Sequence, residues 1–145
     1  MTRPPKTYVA VPTPTTFTPE HARAALAWLD AMGHQDQWDL TIDQQTQLLG
    51  GVKRRTYQEW KRRALAGQPV ELARDTMERL SLLLGLHKAL RIIAPNQSKE
   101  LAAKWFSEPN SSPVFGGLSI KDYLLTRGTM DALYTTRRYL DRARG

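Results

Sequence analysis

Residues 48–63 read LLGGVKRRTYQEWKRR, and this stretch decides the fold of the first half of the chain. Its two leucines are followed by a glycine pair, and small or apolar side chains then recur at helical spacing. Six of its sixteen residues are Lys or Arg, yet Tyr57 and Trp60 stand among them. The spacing predicts a basic helix with an inward stripe of Val52, Thr56, Tyr57, Trp60 and Ala64.

A short capped helix precedes the glycine pair. Thr41 and Gln44 have the spacing of a capping box, and Ile42 and Leu48 follow on an apolar face. That helix can run only as far as Gly50. A short helix, a glycine turn and a basic helix together have the form of a helix-turn-helix, in which the first helix braces the second against the major groove of DNA.

The basic helix carries residue types that contact DNA. Lys and Arg neutralise phosphates and reach guanine edges, whereas a buried Tyr and Trp fix how the helix is presented. Lys53 stands where a Ser or Thr N-cap would be expected. The alternative is a solvated basic face, since charge runs usually mark such faces. The predicted DNA contacts are Lys53, Arg54, Arg55, Thr56, Gln58, Lys61 and Arg62.

Composition agrees with a nucleic-acid partner and excludes several classes of site. The chain has 145 residues, a net charge of +7 and no cysteine, so disulfides and thiolate metal sites are excluded. The three histidines lack ligand spacing. No apolar run approaches the length of a membrane span, and the first residues lack the apolar core of a signal peptide. We therefore expect a cytoplasmic protein without metal or cofactor.

Cap and turn signals divide the rest of the chain into helices and predict an all-α fold. Five of the nine prolines lie in residues 1–19, so residues 1–17 are predicted to form a flexible arm. Residues 107–117 have the composition of a loop. Helices are predicted from Thr18 to Gly33, over 73–93, around Leu101 to Phe106, from Ser119 to Gly128, and beyond Thr129.

The two longest predicted helices carry more detailed expectations. Gly85 lies within 73–93 and is predicted to kink or divide that helix. Five leucines there exceed what one inward stripe needs, so we expect a homodimer, although the same leucines would equally serve as core: Leu80, Leu83, Leu84, Leu86 and Leu90. On the last helix, one face is predicted to carry Met130, Leu133, Tyr134, Arg137 and Leu140.

Nothing in the sequence points to catalysis. There is no P-loop, no GxGxxG and no Ser/His/Asp series with a supporting context. Asp39 and Asp43 are close in sequence, but acids near a capped helix start are favoured on electrostatic grounds alone. The chain is therefore not expected to be an enzyme.

The second half of the chain carries a more specific series of motifs. In order they are RLSLLLGLHKALRII at 79–93, PN at 95–96, KWFSEPN at 104–110, FGGLSIKDYL at 115–124 and RRYLDRARG at 137–145. Together with the helix-turn-helix, this series resembles the Xre/MbcA/ParS family of antitoxins over residues 38–145. The sequence departs from the family pattern at Ile120, where Pro is usual, and in a longer link over 111–114.

The resemblance implies both architecture and partners. Members join an amino-terminal Xre-like helix-turn-helix to a carboxy-terminal toxin-binding domain and pair with RES-domain toxins, which consume or use NAD. The expected organisation is an arm over 1–17, a helix-turn-helix with a linking helix over 18–94, and a toxin-binding domain over 95–145. The expected partners are a RES-domain toxin and double-stranded operator DNA. A rival interpretation is a free-standing transcription regulator without a toxin.

The resemblance and the basic end of the chain also suggest toxin contacts. The predicted residues are Asn110, Phe115, Gly116, Tyr123, Arg138, Tyr139, Asp141, Arg142 and Arg144. For the loop residues the alternative is a purely structural turn anchored by Phe115. For the arginines we expect a short basic tail, ending at Gly145, that leaves the last helix and occludes the toxin's NAD pocket. The alternative there is a frayed, solvated end.

Overall fold

The computed structural model describes residues 17–145, and every regular element in this range is helical. Within 17–145 the only strand-like pairing is an isolated bridge between Pro109 and Ser119. The predicted all-α fold is confirmed, and the predicted arm lies, except for Phe17, outside the described residues. The α-helices are α1 (Pro19–Met32), α2 (Ile42–Leu48), α3 (Arg54–Leu65), α4 (Arg74–Ile93), α5 (Lys99–Ser107), α6 (Ile120–Arg127) and α7 (Met130–Arg144), with short 3-10 turns at Pro95–Gln97 and Pro113–Phe115.

Side-chain caps set where five of these helices begin, and four of the five were predicted. Each predicted cap oxygen accepts a hydrogen bond from the backbone N–H three residues later, at Thr18, Thr41, Ser119 and Thr129. At α2 the capping box is reciprocal, because the backbone N–H of Thr41 also donates to Oε1 of Gln44 at 3.0 Å. Gly33 ends α1, and Gly128 ends α6 in the left-handed conformation. These predicted boundaries are confirmed.

The long helix α4 runs through the centre of the fold, in contact with α1, α5 and α7. Four of the five leucines that suggested self-association are fully buried within one protomer: Leu80, Leu83, Leu86 and Leu90. Leu84 is half-buried and packs against the same core. These side chains are buried in the core of a single chain, so they no longer support the predicted homodimer.

The helix α4 makes its most extensive contact with α7. The helix α4 is continuous from Arg74 to Ile93, so the prediction that Gly85 divides it is wrong. A Cβ at Gly85 would instead collide with the guanidinium of Arg137, so the glycine makes room for α7. Two residues of the predicted face of α7 are not buried: Tyr134 is exposed and Arg137 is partly exposed. The buried side of α7 consists of Ala132, Leu133, Thr136 and Leu140.

The basic helix α3 is held by polar contacts beneath it. The hydroxyl of Tyr57 donates to Oε1 of Gln45 on α2 at 2.6 Å, and Nε2 of Gln45 donates to the carbonyl of Leu40 at 2.9 Å. Burial raises the pKa of Tyr57, so its hydroxyl remains a donor. Nζ of Lys61 lies 2.6 Å from Oδ1 of Asp30 on α1. These contacts fix how α3 is presented.

The predicted inward stripe of α3 holds at most positions. Tyr57 and Ala64 are buried, and Val52 and Trp60 are half-buried. Thr56 is exposed, so its assignment to the stripe is wrong. The reason is that successive helical residues are rotated by about 100° around the axis, and full burial of Tyr57 turns Thr56 outward.

Four aromatic rings join the two halves of the chain. Trp38, which follows α1, stacks on Phe106 of α5 with ring centroids 4.0 Å apart. The edge-on neighbour of Trp38 is Trp28 of α1, and His87 of α4 lies against both tryptophans. Burial and the nearby Arg91 lower the pKa of His87, so the ring is neutral at neutral pH.

Replacing Tyr57 by Phe removes the donor that satisfies Gln45. A buried polar group left without a partner costs about 1–3 kcal/mol, so we expect Tyr57→Phe to lower the free energy of unfolding by that amount in urea denaturation. Tyr134→Phe is the matched control, because the hydroxyl of Tyr134 contacts Glu78 at the surface. An equal loss in the two variants would show that the Tyr57–Gln45 hydrogen bond has no special weight.

Protonation of His87 should oppose folding. Because its pKa is lowered in the folded chain, the unfolded chain binds the proton more tightly. The free energy of unfolding should therefore be insensitive to His87 well above about pH 6.5 and fall as the pH drops below that ordinary histidine value. Urea titrations at about pH 7 and about pH 5 should show a smaller difference for His87→Gln than for the wild type. His34→Gln, at an exposed position, should keep the wild-type difference.

Candidate functional site

Two glycines build the turn that leads into α3. Gly50 and Gly51 have φ angles of 97° and 84°, a region in which side chains cause strain. The carbonyl of Thr46 accepts from the N–H groups of Gly51 at 2.9 Å and of Val52 at 3.3 Å. A Cβ at Gly50 would come within 3.1 Å of Nε of Arg79, which reaches over from α4. The doubled glycine is therefore a requirement of this turn.

Five of the predicted DNA-contact residues are exposed around the start of α3, and we call this set the basic edge. It consists of Lys53, Arg54, Arg55, Thr56 and Gln58, all of them exposed. Nη1 of Arg54 lies 3.2 Å from Oδ1 of Asp43, but both side chains are more than half exposed and such pairs are weak. Lys53 and Arg55 have no ion-pair partner among residues 17–145.

The start of α3 has no side-chain cap. Lys53 occupies the N-cap position and makes no side-chain hydrogen bond to the first turn. The first N–H groups of the helix are therefore open to an external acceptor, and they lie at the positive end of the helix dipole. A phosphate oxygen is the kind of group that such a helix start binds.

The two remaining DNA candidates lie farther along α3 and differ from each other. Lys61 is largely covered, because its ammonium pairs with Asp30 and lies 5.3 Å from the centre of the Tyr57 ring. Lys61 thus holds α3 in place, and the expectation that it contacts phosphate needs correction. Arg62 is exposed and pairs with Glu59 at 2.6 Å, a hydrogen bond that lowers the pKa of Glu59. Arg62 can exchange this exposed partner for a phosphate.

In the second half of the chain, three predicted toxin contacts form an aromatic cluster. The Phe115 ring meets the rings of Tyr123 and Tyr139 edge-on, with centroids 5.1 Å away in both cases. Phe115 and Tyr123 are buried, whereas Tyr139 is half-buried. Phe115 and Tyr123 therefore anchor the loop and α6 in this structure, and only Tyr139 of the three reaches the surface.

Asn110 and Gly116 build the loop around this cluster. Oδ1 of Asn110 accepts from the backbone N–H of Ser112 at 2.7 Å, and the Asn110 N–H donates to the carbonyl of Leu118 at 3.1 Å. Gly116 has φ of 58° and ends the 3-10 turn that carries Phe115. The structure gives these two residues the turn-forming role that was the alternative for them.

The basic end of the chain is helical. The helix α7 continues to Arg144, so the expectation of a free tail that leaves the helix is wrong. Asp141 pairs with Arg137 at 3.2 Å and with Arg144 at 3.8 Å across successive turns, which supports the helix to its end. Arg138 and Arg142 are exposed, and their guanidinium groups form no ion pair within residues 17–145.

A cleft of about 370 Å³ opens between α4, α5 and α7, and we call it the C-terminal cleft. Asn110 and Tyr139 lie on its wall, together with Ala143 from the last turn of α7. The sequence did not assign the other walls, which include Ile93, Trp105, Glu108 and Ile120. Trp105 is 36% exposed, whereas its neighbour Phe106 is fully buried.

Residues 17–145 contain neither a candidate metal-binding group nor a helix that could span a membrane. In this range no group of three or more His, Cys, Asp and Glu side chains could hold a metal ion. None of the helices between Pro19 and Arg144 has the length and apolar character needed to cross a membrane.

The comparisons with known proteins address the same region. Residues 89–145 match the family model of the antitoxin Xre/MbcA/ParS C-terminal toxin-binding domain. The chain is also 41% identical over 110 residues to the "Uncharacterized protein y4oB" of Sinorhizobium fredii (strain NBRC 101917 / NGR234), an alignment that covers 76% of this chain and 78% of that protein. No solved structure matches.

The matched range includes the C-terminal cleft, the Phe115 cluster and the basic end of α7. The motif series over 79–145 and the family model therefore identify the same part of the molecule. Residues 89–145 therefore belong to the Xre/MbcA/ParS antitoxin family as its C-terminal toxin-binding domain.

Proposed function

We propose that this antitoxin neutralises a RES-domain toxin that consumes or uses NAD, and that it binds operator DNA to repress its own operon. It would act as a binding protein and not as an enzyme. The observation that carries the toxin half of the proposal is the exposure of Arg138 and Arg142 on the helical turns that also supply Tyr139 and Ala143 to the C-terminal cleft.

The chemistry of the C-terminal cleft suits a protein partner. Trp, Tyr and Arg side chains carry most of the binding energy in protein interfaces. Trp105 and Tyr139 offer partly exposed rings on the cleft wall, and Arg142 extends from the adjacent helical surface. An apolar anchor of the toxin would fill the cleft, while acidic toxin groups at its border would pair with the arginines.

Neutralisation would follow from steric occlusion. The end of α7, docked at the mouth of the toxin's NAD pocket, would exclude the dinucleotide. A basic segment that is already helical to Arg144 loses less conformational entropy on docking than a free tail would. The helical end therefore supports tight inhibition better than the tail expected from the sequence.

The DNA half of the proposal is supported by the basic edge. Its cations are exposed, and the uncapped start of α3 leaves backbone N–H groups available to a phosphate. Helix-turn-helix proteins bind paired half-sites as dimers, so we retain the homodimer as part of the proposal. Its interface would use surfaces other than the buried leucines of α4.

The rival function is a free-standing transcription regulator whose second half does not bind a RES toxin. The exposed basic edge fits that function equally well. Operator binding therefore cannot separate the two functions. Co-expression with a RES toxin separates them, because only the antitoxin restores growth.

Removing two cations from the basic edge should weaken DNA binding selectively. A base contact by arginine is worth about 1–3 kcal/mol, so we expect Arg54→Ala with Arg55→Ala to reduce operator affinity by roughly thirtyfold or more at fixed salt. Fluorescence anisotropy with a fragment of the gene's own promoter measures this affinity. Lys104→Ala, at an exposed basic residue of α5, is the control and should bind like the wild type. Unchanged affinity in the double variant would exclude the basic edge.

Truncation after Asp141 should abolish neutralisation. It removes Arg142, Ala143 and Arg144 but keeps Leu140, which is buried and would be lost in a shorter chain. Interface hot spots contribute about 2 kcal/mol or more, so we expect toxin affinity to fall by roughly thirtyfold and growth rescue to fail when a RES toxin is co-expressed.

Two controls make this truncation informative. The truncated chain should keep the wild-type melting temperature and operator affinity, and Arg74→Ala, at the exposed start of α4, should still neutralise the toxin. A truncated chain that silences the toxin fully would disprove the role of the α7 end. Failure of the full-length chain to bind a RES toxin encoded beside it would favour the free-standing regulator.

A further inference from the structure

The turn between α2 and α3 is covered on one side by a side chain of α4. The guanidinium of Arg79 lies against the backbone of Gly50, where a Cβ would come within 3.1 Å of Nε and 3.2 Å of Cζ. Nη1 of Arg79 also donates to the carbonyl of Gly128, between α6 and α7, at 3.5 Å. Arg79 therefore contacts both the turn that leads into the basic edge and the corner that joins the last two helices.

Stability alone does not account for a cation at this position. The side chain of Arg79 is only 11% exposed, and its ion-pair partner within residues 17–145 is Asp75, which is 66% exposed and lies 3.3 Å from Nε. The surroundings of Arg79 include Leu48, Leu124 and Leu133. Removing a charge from water costs free energy, and an apolar side chain of similar volume often stabilises such a site as well or better. The guanidinium therefore points to a geometric role, since its planar set of donors fixes direction.

The start of α3 depends on the turn for its direction. Gly50 and Gly51 lack side chains that restrict the backbone, so the turn by itself permits several angles between α2 and α3. From Lys53 to Thr56 every side chain is exposed, and the first fully buried residue of α3 is Tyr57. Packing of Arg79 against the turn restricts these angles from outside, which orients the first turn of α3 and the basic edge.

We propose that Arg79 is a positioning residue for operator recognition. Its guanidinium holds the backbone of Gly50 against the α6–α7 corner at Gly128, so that the side chains of the basic edge are directed at the base edges. Arg79 is itself too covered to serve as a phosphate contact. This inference rests on the DNA half of the proposed function, and it assigns to α4 a residue that acts through the basic edge.

The variant Arg79→Met tests this assignment, because methionine keeps an unbranched side chain among apolar neighbours and removes the planar donors. Fluorescence anisotropy compares the full-length chain on a fragment of the gene's own promoter and on an unrelated duplex of equal length. Non-specific binding uses phosphates and tolerates a misdirected helix, whereas base contacts do not. We expect operator affinity to fall by about tenfold and affinity for the unrelated duplex to stay within about twofold.

The salt dependence of binding separates positioning from direct contact. Loss of one phosphate contact lowers the slope of log K against log salt by about one and weakens binding to both duplexes. Arg79→Met should instead keep the wild-type slope. A lowered slope, an equal loss on both duplexes or an unchanged operator affinity would overturn the positioning role.

Two further variants complete the comparison. Arg74→Met makes the same change at an exposed position of the same helix and should keep the wild-type ratio of the two affinities. Arg79→Lys keeps the positive charge without the planar donors, so it should resemble Arg79→Met, and it decides the outcome if the methionine variant fails to fold. A wild-type ratio in Arg79→Lys would attribute the effect to charge alone and would refute the positioning role.

A measurement without DNA keeps this proposal separate from the proposed function. The N–H groups of Gly51 and Val52 both donate to the carbonyl of Thr46, so their hydrogen exchange reports on the turn. In Arg79→Met we expect exchange about tenfold faster at both, and wild-type exchange at the buried Leu26 of α1. Unaltered exchange at Gly51 and Val52 would refute only the positioning role. A wild-type chain that binds its promoter no better than the unrelated duplex would contradict the proposed DNA function, and this assignment with it.

Discussion

The burial of α4 on several sides is the constraint on which the rest of the structure depends. Its leucines pack against α1 from the N-terminal half and against α5 and α7 from the toxin-binding domain. Trp38 and Phe106 continue this shared core beyond the helix, because their stacked rings come from the two different halves. The family match begins at residue 89, inside α4, so the helix serves both modules. The N-terminal helices and the toxin-binding domain therefore share one core.

Local features of the fold could be predicted from the sequence, and contacts between distant residues could not. A cap such as Thr41 acts on a backbone N–H three residues away, so its effect can be recognised in a short stretch. The pair formed by Lys61 and Asp30 joins positions 31 residues apart, and no local pattern links them. Gln45 was missed for the same reason, because its buried amide is satisfied only once α3 is in place.

At the candidate sites, too, the sequence identified the residues but not their three-dimensional surroundings. Resemblance identified the loop landmarks but could not tell which of them point outward, and Phe115 proved to be a buried anchor. The basic residues at the end of the chain were recognised, but their helical conformation was not. That conformation depends on pairing of Asp141 with arginines on neighbouring turns and on burial of Leu140 against the core. The burial of Leu140 needs the neighbouring helices to be known, whereas the Asp141 pairs are local to α7 and could have been recognised from their spacing.

The toxin-binding domain also supports α2, the helix that precedes the basic edge, directly. Nε2 of Gln47, at the end of α2, donates to the carbonyl of Leu125 on α6 at 2.6 Å. Nζ of Lys121 on α6 donates to the carbonyl of Asp39, just before α2, at 2.8 Å. The helix that braces α3 is thus itself held at both ends by α6. The presentation of the basic edge is therefore a property of the whole folded chain, and residues before α4 alone would lack these two supports.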